Sequence, residues 1–138
     1  MSVFVDTNVI LYATGVDEDR KKREQARVLL NEQPCVLSVQ VFNEFIHQAT
    51  HPKRPRRLSM DEAIGIAHTL TRFPVVSLDV ALFRLAAEVQ HKRPSSWWDS
   101  LIVAAAISAG CETLATEDMQ HGRVIDGVRI ENPFRELA

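Results

Sequence analysis

Residues 3–14 read VFVDTNVILYAT, and the switch of pattern inside them sets the architecture. Val3-Phe4-Val5 is a continuous apolar run, as expected of a strand buried on both faces. Asp6, Thr7 and Asn8 end it with capping and turn side chains, and a helical stretch follows. The alternation continues along the chain. Arg20 to Asn31 keeps Ala26, Leu29 and Leu30 on one helical face until Pro34 stops it, and Cys35-Val36-Leu37 is a second strand. Ser38 caps a helix over 39–50, where Val41, Phe42, Phe45, Ile46 and Ala49 recur at helical spacing. Ser59 and Glu62 have the spacing of a capping box and open a helix to about Thr71. Val75 to Leu78 is a third strand, followed by an Asp79-capped helix ending near His91. A helix over Trp97 to Ala109 is closed by Gly110. Thr113-Leu114-Ala115 and Val128-Arg129-Ile130 are the fourth and fifth strands, the last preceded by an Asp126-Gly127 turn. Strands separated by helices need crossover connections. The expectation is a single three-layer α/β domain over residues 1–138: a central parallel sheet of about five strands, covered by helices on both faces.

Composition narrows the function classes. The 138 residues are 46% hydrophobic and 25% charged, which excludes disordered and fibrous chains. No apolar run approaches the roughly 20 residues of a membrane-spanning helix. MSVFVDTN lacks the basic start of a signal peptide, so a cytoplasmic location is expected. Cys35 and Cys111 supply neither a disulfide framework nor a zinc site, and read as small buried apolar groups. The formal net charge of −2 means that any contact with nucleic acid rests on a local basic patch or a metal.

In an open parallel sheet, functional groups gather beyond the carboxyl ends of the strands. Asp6 follows the first strand directly, Glu44 lies within two helical turns of Ser38, and Glu117 and Asp118 follow Ala115 closely. Asp99 sits in the first turn of the apolar helix WWDSLIVAAA. Each acid alone has a plain reading as a turn residue or a favourable charge at a helix N-terminus. Together they differ, because no lysine or arginine lies close in sequence to Asp6, Glu44 or Asp99. Carboxylates that converge without a cation suit a hard divalent ion, Mg²⁺ or Mn²⁺, of the kind that activates water for attack on a phosphodiester.

FVDTNVILYA, SVQVFNEF, WWDSLIVAAAISAGC and LATEDMQHG stand in this order along nearly the whole chain. In these four motifs the chain resembles the PIN-domain ribonucleases, and within them the VapC-type toxins of bacterial toxin–antitoxin pairs. The resemblance implies a parallel sheet carrying an acidic metal site, with Asp6, Glu44, Asp99 and Asp118 as the four motif acids. Asp6, Asp99 and Asp118 would hold the metal, with Glu44 as a ligand or as a base that positions water. Asn8 and Thr116 match polar positions that orient acids or bound water, and Glu117 is a possible auxiliary beside Asp118. The activity implied is endoribonuclease cleavage of RNA, with a VapB-type antitoxin and a second copy of the chain as partners.

Two other classes are weighed against it. An aspartyl-phosphate phosphatase or receiver-like phosphoacceptor could use Asp6 or Asp79, but it needs a well-placed lysine, and Lys21, Lys22, Lys53 and Lys92 are the only ones. A non-catalytic binding module of the same fold would not need four intact acids. HPKRPRR, residues 51–57, is a loop; Lys53, Arg54, Arg56 and Arg57 could grip RNA phosphates, face solvent, or meet a protein partner. DEDRKKRE, residues 17–24, reads as an exposed helix start. Trp97 and Trp98 could stack on bases, although at the head of an apolar helix packing or a dimer contact is favoured for at least one. His121 reads as a surface turn residue.

Overall fold

The apolar run Val3–Val5 forms β1, and Asp6 caps α1 (Thr7–Thr14) by accepting from the Thr7 N–H. The computed structural model describes residues 1–137. Next come α2 (Arg20–Glu32), β2 (Cys35–Ser38), α3 (Val39–Ala49), α4 (Met60–Leu70) and β3 (Val75–Val76). After these stand α5 (Val80–Lys92), α6 (Trp97–Ser108), β4 (Thr113–Ala115), β5 (Val124–Ile125) and β6 (Val128–Glu131). The N-caps are those that short polar side chains dictate: Ser38, Ser59, Asp79 and Ser96 each accept from the backbone three residues on. Ser59 and Glu62 form the reciprocal capping box.

The sheet order is β3-β2-β1-β4-β6-β5. β1 pairs in parallel with β2 on one side and β4 on the other. The chain therefore runs outward from β1 through β2 and β3, then crosses back to β4. That reversal at β1 opens a crevice beyond the carboxyl ends of β1 and β4. Phe4, Val5, Leu37, Leu114 and Ile130 are fully buried from the strands, and Ile10 and Phe45 from the helices. α6 buries every residue from Ser100 to Ala106. Its three consecutive alanines let it lie close to the sheet and to α5, with which it packs most extensively. Cys35 and Cys111 are buried and unpaired, and burial pushes both thiols up to about 11, so they are inert packing groups.

The five expected parallel strands are present, with one addition. β5 is a short sixth strand, antiparallel to β6 at the sheet edge. Asp126 (φ 46°) and Gly127 (φ 85°) join the two in left-handed conformations, the backbone a two-residue hairpin requires. The third strand ends at Val76, leaving Ser77 and Leu78 in the connection to α5.

Candidate functional site

Asp6 leaves the sheet at the crevice, where the end of β1 meets the start of α1. Its carboxylate is only 6% exposed. Oδ1 accepts from the Thr7 N–H at 2.7 Å, and Oδ2 accepts from Thr116 Oγ1 at 2.8 Å and Asn8 Nδ2 at 3.4 Å. Burial nevertheless dominates, and the Asp6 carboxyl is pushed up to about 6, with Glu44 and Asp118 adding charge repulsion. Such a group resists ionisation unless a cation arrives.

Asn8 and Thr116 are the joints of the arrangement. Asn8 Nδ2 also donates to Thr116 Oγ1 at 3.0 Å and to Asp118 Oδ2 at 3.1 Å, linking α1 to the segment after β4. Thr116 Oγ1 accepts from the Asp118 N–H at 3.1 Å, which turns the chain so that the Asp118 side chain faces Asn8. Glu44 arrives from α3. Its Oε1 accepts from Gln40 Nε2 at 2.6 Å and its Oε2 from Thr7 Oγ1 at 3.2 Å. Asp99 enters from the first turn of α6, and its carboxyl is raised by burial and by the charge of Asp118, against a lowering bond from Ser96. Asp6 thus feels Glu44 and Asp118, and Asp99 feels Asp118. Asp118 is coupled to both Asp6 and Asp99, and Glu44 to Asp6, with Asn8 and Thr116 bonded between Asp6 and Asp118. Among the described residues none of the four acids is in an ion pair.

Glu117 points elsewhere. Its Oε2 accepts from Lys22 Nζ at 2.8 Å and its Oε1 from Tyr12 OH at 2.6 Å, so its charge is already neutralised. Lys22 also lies over the Tyr12 ring, which meets Phe134 edge-on at 5.0 Å. The Glu117 carboxylate is therefore a clamp between β4, α1 and α2 rather than a fifth free acid. Lys22, in a stretch expected to be an exposed helix start, is the residue that sequence reasoning missed; nothing in its local pattern marks it. Gln40 was also missed, although its position four residues before Glu44 puts the two on one helical face.

The basic loop divides in two. Arg54 is occupied by Asp17 and Gln48, and Arg56 by Glu18 at 3.0 Å, whereas Lys53 and Arg57 are exposed and take part in no ion pair among the described residues. The loop is thus partly a brace against the start of α2, and its basic side chains outside ion pairs reduce to Lys53 and Arg57 among the described residues. Trp97 packs edge-on against Phe83, while Trp98 is 62% exposed. His121 Nδ1 accepts from the Asn132 N–H in a surface turn, and Asp79 serves as an N-cap.

The donor set is four hard carboxylates with little charge compensation, which fits a divalent cation of the Mg²⁺ type. Among the described residues, no three acidic, histidine or cysteine side chains close tightly enough to enclose an ion alone. Mg²⁺ does not require that, because it keeps several waters and takes one or two carboxylates together with a substrate phosphate. The open arrangement and the chemistry agree.

The family model described as PIN domain matches residues 3–126. No curated protein matches the chain by sequence. Several solved structures share its fold. A toxin–antitoxin complex from Klebsiella pneumoniae superposes with a TM-score of 0.70 at 16% identity, covering 95% of this chain and 97% of that one. DNA-bound VapBC from Salmonella typhimurium gives 0.67 at 19% identity, covering 96% and 98%. VapC20 from Mycobacterium tuberculosis, described as a sarcin–ricin loop cleaving toxin, gives 0.62 at 21% identity, covering 81% and 86%.

Proposed function

The chain belongs to the PIN-domain family, and from that premise we propose that it is a metal-dependent endoribonuclease acting as the toxin of a type II toxin–antitoxin pair. The observation that carries the reading is Asp6: a buried carboxyl pushed up to about 6, with acids around it and, among the described residues, no ion-pair partner. Asp6, Asp99 and Asp118 would hold Mg²⁺ or Mn²⁺, with Glu44 as a further ligand or as the group that orients water. When bound, the ion neutralises charge on the scissile phosphate and eases ionisation of water.

The chain's own residues do the rest. Asn8 and Thr116 hold Asp6 Oδ2 and Asp118 in place, so the ligands need little rearrangement when a cation binds. Gln40 and Thr7 each donate to one oxygen of Glu44 and hold that carboxylate in orientation, where it would accept a proton from the attacking water. In-line attack by water at phosphorus expels the 3′ oxygen and leaves a 5′-phosphate and a 3′-hydroxyl. RNA is favoured as substrate because one protein of the same fold is described as a toxin that cleaves the sarcin–ricin loop. The phosphoacceptor reading loses support, since Lys22 is held by Glu117 and Asp79 caps a helix.

Structures of the same fold are toxin–antitoxin complexes, which supports a VapB-type antitoxin as partner. An arginine from such a partner suits this site, as it can stand in for a cation among unpaired carboxylates. A homodimer is proposed as well. Exposed Met60 and Ile64 on α4, and Val80 and Phe83 on α5, give two separate apolar faces for these contacts. A cytoplasmic location is part of the reading; no helix among the described residues is long and apolar enough to cross a membrane. The test is growth after induction in a host lacking the antitoxin, with wild type beside Asp99→Asn and soluble protein confirmed. Wild type should arrest growth, the variant should not, and co-expressed antitoxin should relieve the arrest. Equal harmlessness of both proteins overturns the toxin reading.

A further inference from the structure

Beside the acids lies a second feature that the phosphodiester chemistry does not use. A cavity of about 660 Å³ opens between α3 and the head of α6, with Glu44 at its rim. That size falls within the ~300–1,000 Å³ of sites that take small organic ligands. Leu101 is its buried floor, and Leu78 and Trp98 are exposed walls. The wall on α3 carries Asn43, His47 and Gln48. Two amides and an imidazole offer donors and acceptors without formal charge on the amides, next to a large aromatic surface left in solvent. Trp98 at 62% and Leu78 at 49% exposure leave a flat apolar wall in solvent, a surface on which a base can stack.

From this juxtaposition we infer that the cavity is a nucleobase subsite, which takes the base next to the scissile phosphate and confers sequence preference on the cut; the inference rests on the nuclease reading above. The base stacks on Trp98 and Leu78, and Asn43, His47 and Gln48 meet its edge. No lysine or arginine lines the cavity among the described residues, so it suits an uncharged base rather than a phosphate. The path of the strand is marked too. His47 and Gln48 also line the neighbouring depression formed with His51, Lys53 and Arg54. Gln48 Oε1 is held there by Arg54 Nη2 at 2.8 Å, leaving the Gln48 amide N–H groups for the base. The next phosphate along α3 therefore meets Lys53. Single-stranded RNA suits such a surface, because base–aromatic stacking with a cationic flank requires an unpaired base.

The test uses full-length protein and an RNA whose cut site has been mapped with wild type. The base flanking the cut is replaced by an abasic sugar, and kcat/KM is measured for wild type, Trp98→Ala and Trp98→Phe. Wild type should lose about tenfold on the abasic RNA, in the range of one lost base–aromatic stack. Trp98→Ala should be about tenfold slower on intact RNA, with no further loss on the abasic one. Trp98→Phe should keep most of the wild-type preference. Asn43→Ala should shift or relax the sequence preference of the mapped cuts. Equal losses on the abasic RNA for wild type and Trp98→Ala overturn the subsite and leave the nuclease reading standing. Wild type that cuts no RNA overturns the nuclease reading and the subsite with it. A Trp98→Ala protein that changes from dimer to monomer by light scattering, with no coupling to the base, assigns the cavity to an interface between copies and overturns the inference.

Discussion

Asp6 shows how a single residue couples stability to function. An aspartate in the unfolded chain ionises near 3.8, and in the folded, metal-free protein only near 6. Below pH 4 both states are protonated and the group costs nothing. As pH rises from about 4 to about 6 the unfolded chain ionises while the folded protein resists it, so stability is lost over that window and stays lost above it, by about 2–3 kcal/mol at most. In chelator at pH 8, Asp6→Asn should therefore melt above wild type, by up to about 7–10 °C, and the gap should close by pH 4. Mn²⁺ should raise the melting temperature of wild type far more than that of the variant. A variant less stable than wild type at pH 8 in chelator would contradict the burial of an uncompensated charge. Lys22 presents the opposite case, a cation already matched. Lys22→Met leaves Glu117 half-buried with only the Tyr12 hydroxyl as partner, and should lower the urea midpoint by the equivalent of about 1 kcal/mol. Lys22→Arg should recover part of it.

Among the elements, what could be read in advance was what periodicity and caps encode. Val3-Phe4-Val5, the alternating helices and the Ser59–Glu62 box all lie where local pattern placed them, because each is decided by neighbours in sequence. β5 was not legible: Val124 and Ile125 are too few to show a pattern, and they become a strand only because the turn at Asp126-Gly127 folds them onto β6. The positions of Asp6 and Asp118 after strand ends and of Asp99 at a helix start were legible, whereas Glu44 inside α3 was marked only by its apolar neighbours and the family resemblance. The engagement of Glu117 by Lys22 and of Arg54 by Asp17 was not legible, since both pairs join segments far apart in sequence. Two element-scale outcomes follow. Gly127→Ala, at φ 85°, should cost about 1 kcal/mol and loosen the β5–β6 hairpin, read as faster hydrogen exchange at Val124 and Ile125. In the loop after α3, Lys53→Ala with Arg57→Ala should flatten the salt dependence of RNA binding by a slope of about one to two. Arg54→Ala should instead lower thermal stability, because Asp17 and Gln48 lose their shared partner.

At the scale of the whole molecule, the reversal of strand order at β1 explains why the site is where it is. β1 and β4 are neighbours, so Asp6 and the Thr116–Asp118 turn emerge side by side although most of the chain separates them. α3 carries Glu44 and α6 carries Asp99, and the cavity beside Glu44 lies between α3 and the head of α6. The crevice concentrates negative charge beyond the carboxyl ends of the strands, and under the proposed function a divalent cation would relieve the repulsion. The most direct measurement is cleavage of a defined RNA by purified protein, with product ends identified, in Mn²⁺ and in chelator, for wild type and Asp6→Asn. Wild type should cut only with the divalent ion and leave 5′-phosphate ends, and Asp6→Asn, folded as judged by circular dichroism, should be slower by at least about a thousandfold. Full cleavage by Asp6→Asn with contamination excluded, or by wild type in chelator, would contradict the assignment of these acids as a divalent-cation nuclease site.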